Sequence, residues 1–140
     1  THPRTRQRIE EYRIVAHKLM IFHKPFGYFD YNKLQRTAFC VLSDSGSIFE
    51  ESAVMDFPAV QVRVSSERPE AFDEGAAILS GRDKETMRAA IAVVIGERKK
   101  GVKMNVPVAY RDTNVSGKVL RHIVGLTKIV KDRRALNGFL

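Results

Sequence analysis

Phe39-Cys40-Val41-Leu42-Ser43-Asp44-Ser45-Gly46-Ser47-Ile48-Phe49-Glu50-Glu51 is the stretch from which the fold is read. It opens with a short, continuous apolar run, the mark of a strand buried on both faces. A loop of small polar residues follows and feeds a helix predicted over 48–55. Pro58 then leads into a second apolar run, Ala59-Val60-Gln61-Val62, predicted as another strand. Strand, loop, helix and strand in that order are the unit from which parallel α/β sheets are built.

The pattern continues on both sides. Upstream, residues 3–18 read as a helix, with Pro3 tolerated in its first turn and Ile9, Tyr12 and Ala16 along one side. Leu19-Met20-Ile21-Phe22 reads as a further buried strand, and 29–37 as a helix. Downstream, a short helix over 67–73 is broken by Gly75 before a strand over 76–79. Residues 84–97 repeat apolar side chains at Met87, Ile91, Val94 and Ile95, an amphipathic helix. Residues 101–111 are irregular. A last helix over 113–131 carries Val115, Val119, Ile123, Leu126 and Val130 on one stripe. The fold class is α/β with a parallel sheet, and 1–140 is expected to form one domain. Two features predict that the sheet is incomplete, cut short at its N-terminal side. The chain opens in a helix-forming segment with no strand before it, and the last helix is apolar over more surface than a short sheet face needs.

Composition narrows the class. The 140 residues are 44% hydrophobic and 29% charged, as in an ordinary globular domain. No run of about 18 apolar residues would span a bilayer, and Thr1-His2-Pro3-Arg4 has no apolar stretch behind it, so a cytoplasmic location is expected. The single Cys40 sits in an apolar run and reads as a buried structural thiol, not a nucleophile. A net charge of +8 (24 Lys and Arg against 16 Asp and Glu) raises nucleic-acid binding as an alternative. The basic residues fall into three separate stretches, around Arg4 to Arg13, Arg98 to Lys100 and Lys128 to Arg134. None is interleaved with aromatic side chains that would stack on bases. Solvated helix faces, or a surface for an acidic partner domain, explain the charge more simply.

Ligands of open parallel sheets bind where strands end and loops lead into helix N-termini. Ser43-Asp44-Ser45-Gly46-Ser47 is such a loop, where small side chains expose backbone N–H groups to an anion. It lacks a dinucleotide fingerprint and a Walker lysine, and plain helix capping is the simpler reading of it in isolation. Ser65-Ser66-Glu67-Arg68-Pro69-Glu70 places Arg68 where its fork of donors could clamp a phosphate or carboxylate, or merely pair with Glu67 and Glu70. One of Glu50 and Glu51 could accept a pair of ribose hydroxyls; exposed helix glutamates are the commoner fate. Tyr28, Tyr31, Phe26 and Phe29 surround Gly27, as rings for a base or a seal for the sheet edge. His2, His17, His23 and His122 show no metal spacing.

Taken together, His2-Pro3-Arg4-Thr5-Arg6, Ser43-Asp44-Ser45-Gly46-Ser47-Ile48-Phe49-Glu50-Glu51 and Ser66-Glu67-Arg68-Pro69-Glu70 resemble the serial motifs of non-hydrolysing UDP-N-acetylglucosamine 2-epimerases. The resemblance covers essentially the whole chain but only about the last two-fifths of a family member. It implies a three-layer Rossmann-like sheet, the C-terminal half of a glycosyltransferase-B architecture, with residues 113–140 packing on the missing N-terminal domain. It further implies that Ser45 and Gly46 bind the UDP phosphates, Glu51 takes the ribose hydroxyls, Tyr31 lies near the uracil, and Arg68 and His2 belong to the cleft. Ser47 departs from the family's usual second glycine, which would stiffen the loop. The family reaction inverts C2 of the sugar by proton removal, loss of UDP to a 2-acetamidoglycal, and re-addition. Its acid and base carboxylates lie upstream of these residues, so no catalytic residue, cofactor or metal is expected here, and the chain alone is expected to be inactive. The implied partners are a UDP-sugar, the missing N-terminal domain and a second copy in a homodimer. The segment from Phe22 to Leu34, with Asn114-Val115-Ser116, is similar to the branch that makes UDP-N-acetyl-L-fucosamine for capsule and O-antigen. The alternatives are the nucleotide-sugar domain of a glycosyltransferase-B enzyme and a basic nucleic-acid-binding module.

Overall fold

Val41–Ser43 (β1) and Ala59–Gln61 (β2) lie side by side and parallel in the computed structural model, Val41 opposite Ala59 and Ser43 opposite Gln61. The structure describes residues 2–75 and 78–136, the last two by backbone alone. Ile48–Met55 (α3) connects the two strands. A third line of chain joins β2 through an isolated parallel bridge between Gln61 and Leu79, with Gln61 N–H donating to the Ile78 carbonyl and Ser80 N–H to the Gln61 carbonyl, both at 3.0 Å. Leu79 therefore stands where the strand over 76–79 was expected, while Ala76 and Ala77 of that strand lie outside the described residues.

Alternation along β2 sets the layers. Ala59 faces Ile48, Phe49, Phe57 and Ala71, so α3 and Pro69–Asp73 (α4) cover one face. Val60, one residue on, faces Ala90, Val94 and Ile95 of Lys84–Lys99 (α5) on the other. Helix, sheet and helix make the three layers, and the parallel α/β class holds. The corner between α3 and β2 is closed locally. Asp56 adopts a left-handed backbone (φ 55°), and the buried Ser52 hydroxyl donates to the Phe57 carbonyl at 2.7 Å.

Tyr28–Thr37 (α2) precedes β1, Val108–Arg111 forms a single 3-10 turn, and Val115–Leu136 is the long α6. Every described side chain of α6 from Lys118 to Arg134 is exposed, including Val119, Ile123, Leu126 and Val130 of the predicted stripe.

Two expectations fail at the N-terminal end. The helix over 3–18 stops at Glu11 (Pro3–Glu11, α1), because Tyr12 leaves helical geometry and Arg13 turns left-handed at φ 48°. Residues 19–22 form no strand: Leu19 is 79% and Ile21 87% exposed. An apolar run has the composition of a buried strand, but a strand also has to pair with a neighbour, and residues 19–22 pair with no described strand. Cys40 is half-buried, and burial pushes its thiol above the ordinary range, as suits a structural role.

Candidate functional site

Both strands run the same way, so the loops after β1 and β2 emerge at one edge of the sheet. The loop over 44–47 is tied to that edge from below. Gln61, wholly buried in β2, donates its side-chain amide to the Ser45 carbonyl at 2.8 Å, and Ser45 N–H bonds the Ser43 hydroxyl at 3.1 Å. The first turn of α3 has no side-chain cap. Ser47 sits at the capping position but donates its hydroxyl to Glu51 Oε1 at 2.7 Å, leaving the first-turn amides without a capping side chain. The loop thus differs from plain capping and offers the partial positive charge that anions seek.

Glu51 is held from two sides. Ser47, one turn earlier, occupies Oε1, and Gln35 of α2 donates to Oε2 at 2.5 Å. A carboxylate offers about four lone-pair sites. Two braced sites fix its orientation and leave two for a ligand. Tyr31 stands one helical turn before Gln35 and feels the same carboxylate. Burial first, then the Glu51 charge, raises its phenol pKa, with a hydrogen bond from Gln35 opposing. Ser45, Ser47, Gln35, Glu51 and Tyr31 therefore form one connected group, with the Ser45 and Ser47 hydroxyls 3.0 Å apart.

Glu50 turns elsewhere. Its Oε1 accepts from Arg68 Nε at 2.5 Å, linking α3 to the residue that opens α4. This hydrogen bond and Glu50's charge, in that order, strengthen the hold of Arg68 on its proton. Arg68 is thus paired, but not by the partners that lie beside it in sequence. Glu67 takes a two-pronged bond from Arg63, at 3.1 and 3.3 Å, and Glu70 accepts from the Tyr110 hydroxyl at 3.1 Å. The Arg63–Glu67 pair flanks the serine loop: a methyl group on Gly46 would stand 3.9 Å from Arg63 Nη1 and 4.0 Å from Glu67 Oε2. A cavity of about 470 Å³ opens beside it, lined by Asp44, Arg63, Ser65 and Arg82 among others.

His2 stays apart from this group. It caps α1, its Nδ1 accepting from Arg4 N–H at 3.2 Å. The aromatic residues around Gly27 divide: Tyr31 turns to Glu51, while Tyr28 and Phe29 pack edge to face and are exposed. Among the described residues no cluster of metal-ligating side chains forms, and no helix is long and apolar enough to cross a membrane.

Sequence reasoning missed Gln35, Gln61 and Tyr110, and saw in Ser47 only a stiffer loop. The spacing of four between Ser47 and Glu51, and between Tyr31 and Gln35, was the available signal, since such pairs share a helix face. Nothing local marked Gln61 or Tyr110.

The family model described as UDP-N-acetylglucosamine 2-epimerase matches residues 1–124. A UDP-N-acetylglucosamine 2-epimerase of Methanococcus maripaludis is 32% identical over 127 residues, 88% of this chain and 33% of that protein. The Methanocaldococcus jannaschii enzyme of the same name is 31% identical over 102 residues, 70% of this chain and 28% of that protein. Among solved structures, UDP-N-acetylglucosamine 2-epimerase from Rickettsia bellii superposes with a TM-score of 0.75 at 36% identity, over 93% of this chain and 36% of the other. The Methanocaldococcus jannaschii enzyme in complex with UDP-GlcNAc and UDP gives 0.72 at 27% identity, over 88% and 34%. The chain thus spans about a third of the length of these relatives.

Proposed function

This chain belongs to the UDP-N-acetylglucosamine 2-epimerase family, matched over residues 1–124, and from that premise we propose that it forms the UDP-binding wall of a UDP-N-acetylhexosamine 2-epimerase. The observation that carries the proposal is the braced Glu51 beside the uncapped first turn of α3. In this reading Ser45 and Gly46 bind the diphosphate through hydroxyl and backbone donors, Glu51 accepts the two ribose hydroxyls, Tyr31 lies towards the base and Arg68 reaches the phosphates. His2 enters on the family resemblance alone. Support for the diphosphate comes from the uncapped N-terminus of α3 and from Arg63 and Arg68 at the same edge.

Inversion at C2 needs groups that move a proton on both faces of the sugar. In this account they lie outside residues 1–140, and this part holds the leaving UDP while they act. The same account sets the protein in surface-polysaccharide precursor synthesis in the cytoplasm, with the rest of the fold and a second copy as partners. The stretch from Phe22 to Leu34 favours the branch acting on 6-deoxy sugars.

A titration of the isotope-labelled chain with UDP, followed by NMR, tests the site. The amides of Gly46, Ser47 and Ile48 are expected to move first. Shifts confined to the basic faces of α1 and α6 would refute the assignment. In deuterated water the chain alone is expected to leave C2 of a UDP-N-acetylhexosamine unexchanged; deuterium incorporation above a protein-free control would place proton-transfer groups within these residues.

A further inference from the structure

Arg68 opens α4, 18 residues after Glu50, and the two side chains are each only about one-third exposed (36% and 32%). Their contact is a single bond to Nε at 2.5 Å. A guanidinium carries five N–H donors in a planar fork, so a partner on Nε leaves both terminal nitrogens to turn towards something else. The other groups facing Arg68 are Glu70 and Tyr110, with Glu67, held by Arg63, also feeling its charge. Glu70 is itself engaged by the Tyr110 hydroxyl at 3.1 Å, and the Arg68 N–H is fixed by the Ser66 hydroxyl at 3.3 Å. Backbone and side chain of this arginine are therefore both held before any ligand arrives. Glu50 sits beside Glu51 in the first turn of α3, so one short helix orients the residue assigned to ribose and, through Glu50, the residue assigned to phosphate.

We propose that Glu50 is the positioning residue of Arg68: its carboxylate takes Nε and aims the terminal fork at the diphosphate of the bound nucleotide. This rests on the UDP reading given above. A long arginine chain loses considerable rotamer freedom when it binds, and a preformed ion pair supplies that ordering in advance. The opposite device, a carboxylate that blocks the arginine until ligand displaces it, predicts the opposite sign when the carboxylate is removed.

Calorimetry with UDP and with uridine, on wild type, Glu50→Ala, Glu50→Gln, Arg68→Ala and the double variant, separates these. Glu50→Ala should weaken UDP about tenfold while uridine changes less than about twofold, since uridine has no phosphate for Arg68 to meet. Glu50→Gln keeps the size and an acceptor, guards against loss of fold, and should fall between. The double variant should bind UDP no more weakly than Arg68→Ala alone. Unchanged or tighter UDP binding by Glu50→Ala overturns the proposal, as does an equal loss on uridine, which would make Glu50 a prop for α3. Wild type that binds UDP no better than uridine would overturn the UDP reading itself, a result distinct from either.

Discussion

Glu50 and Glu51 are adjacent in the first turn of α3, yet their carboxylates serve different parts of the structure: Glu50 grips Arg68 at 2.5 Å, and Glu51 is clasped by Gln35 at 2.5 Å and Ser47 at 2.7 Å. Successive residues on a helix point about 100° apart, so a pair of glutamates can hold two neighbours without competing. The site draws its geometry from that divergence.

Glu51 is assigned to the ribose, and the assignment has a chemical signature. Glu51→Ala should cost about 1.5–3 kcal/mol of UDP binding. Wild type should also bind 2′-deoxy-UDP more weakly than UDP, and that difference should vanish in Glu51→Ala. Calorimetry with both nucleotides checks this; a ribose preference that survives the substitution would remove the assignment.

The brace can be tested apart from the carboxylate. Gln35 is 2% exposed and its Oε1 has no hydrogen-bond partner, so the side chain carries a desolvation cost that its bond to Glu51 offsets. Gln35→Leu removes both terms and should leave unfolding free energy within about 1 kcal/mol of wild type, while UDP binds about three- to tenfold more weakly. Denaturant melts beside UDP titrations would show whether stability and binding separate in this way. A parallel loss of both would make Gln35 a core residue only.

Gly46 has room for a methyl group, whose nearest neighbours would be Arg63 Nη1 at 3.9 Å and Glu67 Oε2 at 4.0 Å, ordinary contacts. Gly46→Ala should therefore change stability by no more than about 0.5 kcal/mol. It should still weaken UDP, because the methyl stands where a phosphate would approach the backbone amides. Undiminished affinity would move the phosphates to another part of the edge.

Tyr110 supplies a pH prediction. Burial first, then its bond to Glu70 and the charge of Glu70, push its phenol up from 10.0 to about 12. A pKa raised by folding stabilises the protein below the unfolded value, and that contribution is lost as pH rises through the folded one, here between 10 and about 12. In ultraviolet titration of the folded chain, one of the four tyrosines should ionise near the top of this window. Tyr110→Phe should delete that late component and no other. An unaltered late phase in the variant would assign it elsewhere.

The elements bounded by strong local signals were legible in the sequence. Ile48–Met55 begins after Ser47 and ends before Phe57-Pro58, and Ala59–Gln61 follows the proline as expected. Residues 19–22 misled because pairing, not composition, makes a strand, and pairing is not written locally. The site divides in the same way. Its loop and glutamates were visible as a contiguous motif, whereas Gln35 reaches Glu51 across 16 residues, Arg68 reaches Glu50 across 18 and Tyr110 reaches Glu70 across 40. Such partners are fixed by the packing of α2, α3 and the 3-10 turn, and no spacing rule announces them.

The central claim is that the edge formed by residues 43–51 and Arg68 is built for UDP. Calorimetry of the chain against UDP, ADP, inorganic phosphate and a short DNA duplex at one fixed ionic strength tests it most directly. We expect UDP to bind tightest, with a Kd weaker than about 10 µM, on the order of 7 kcal/mol, as suits a part covering a third of its relatives' length. Equal affinity for UDP and ADP, or for UDP and the duplex, would contradict the account.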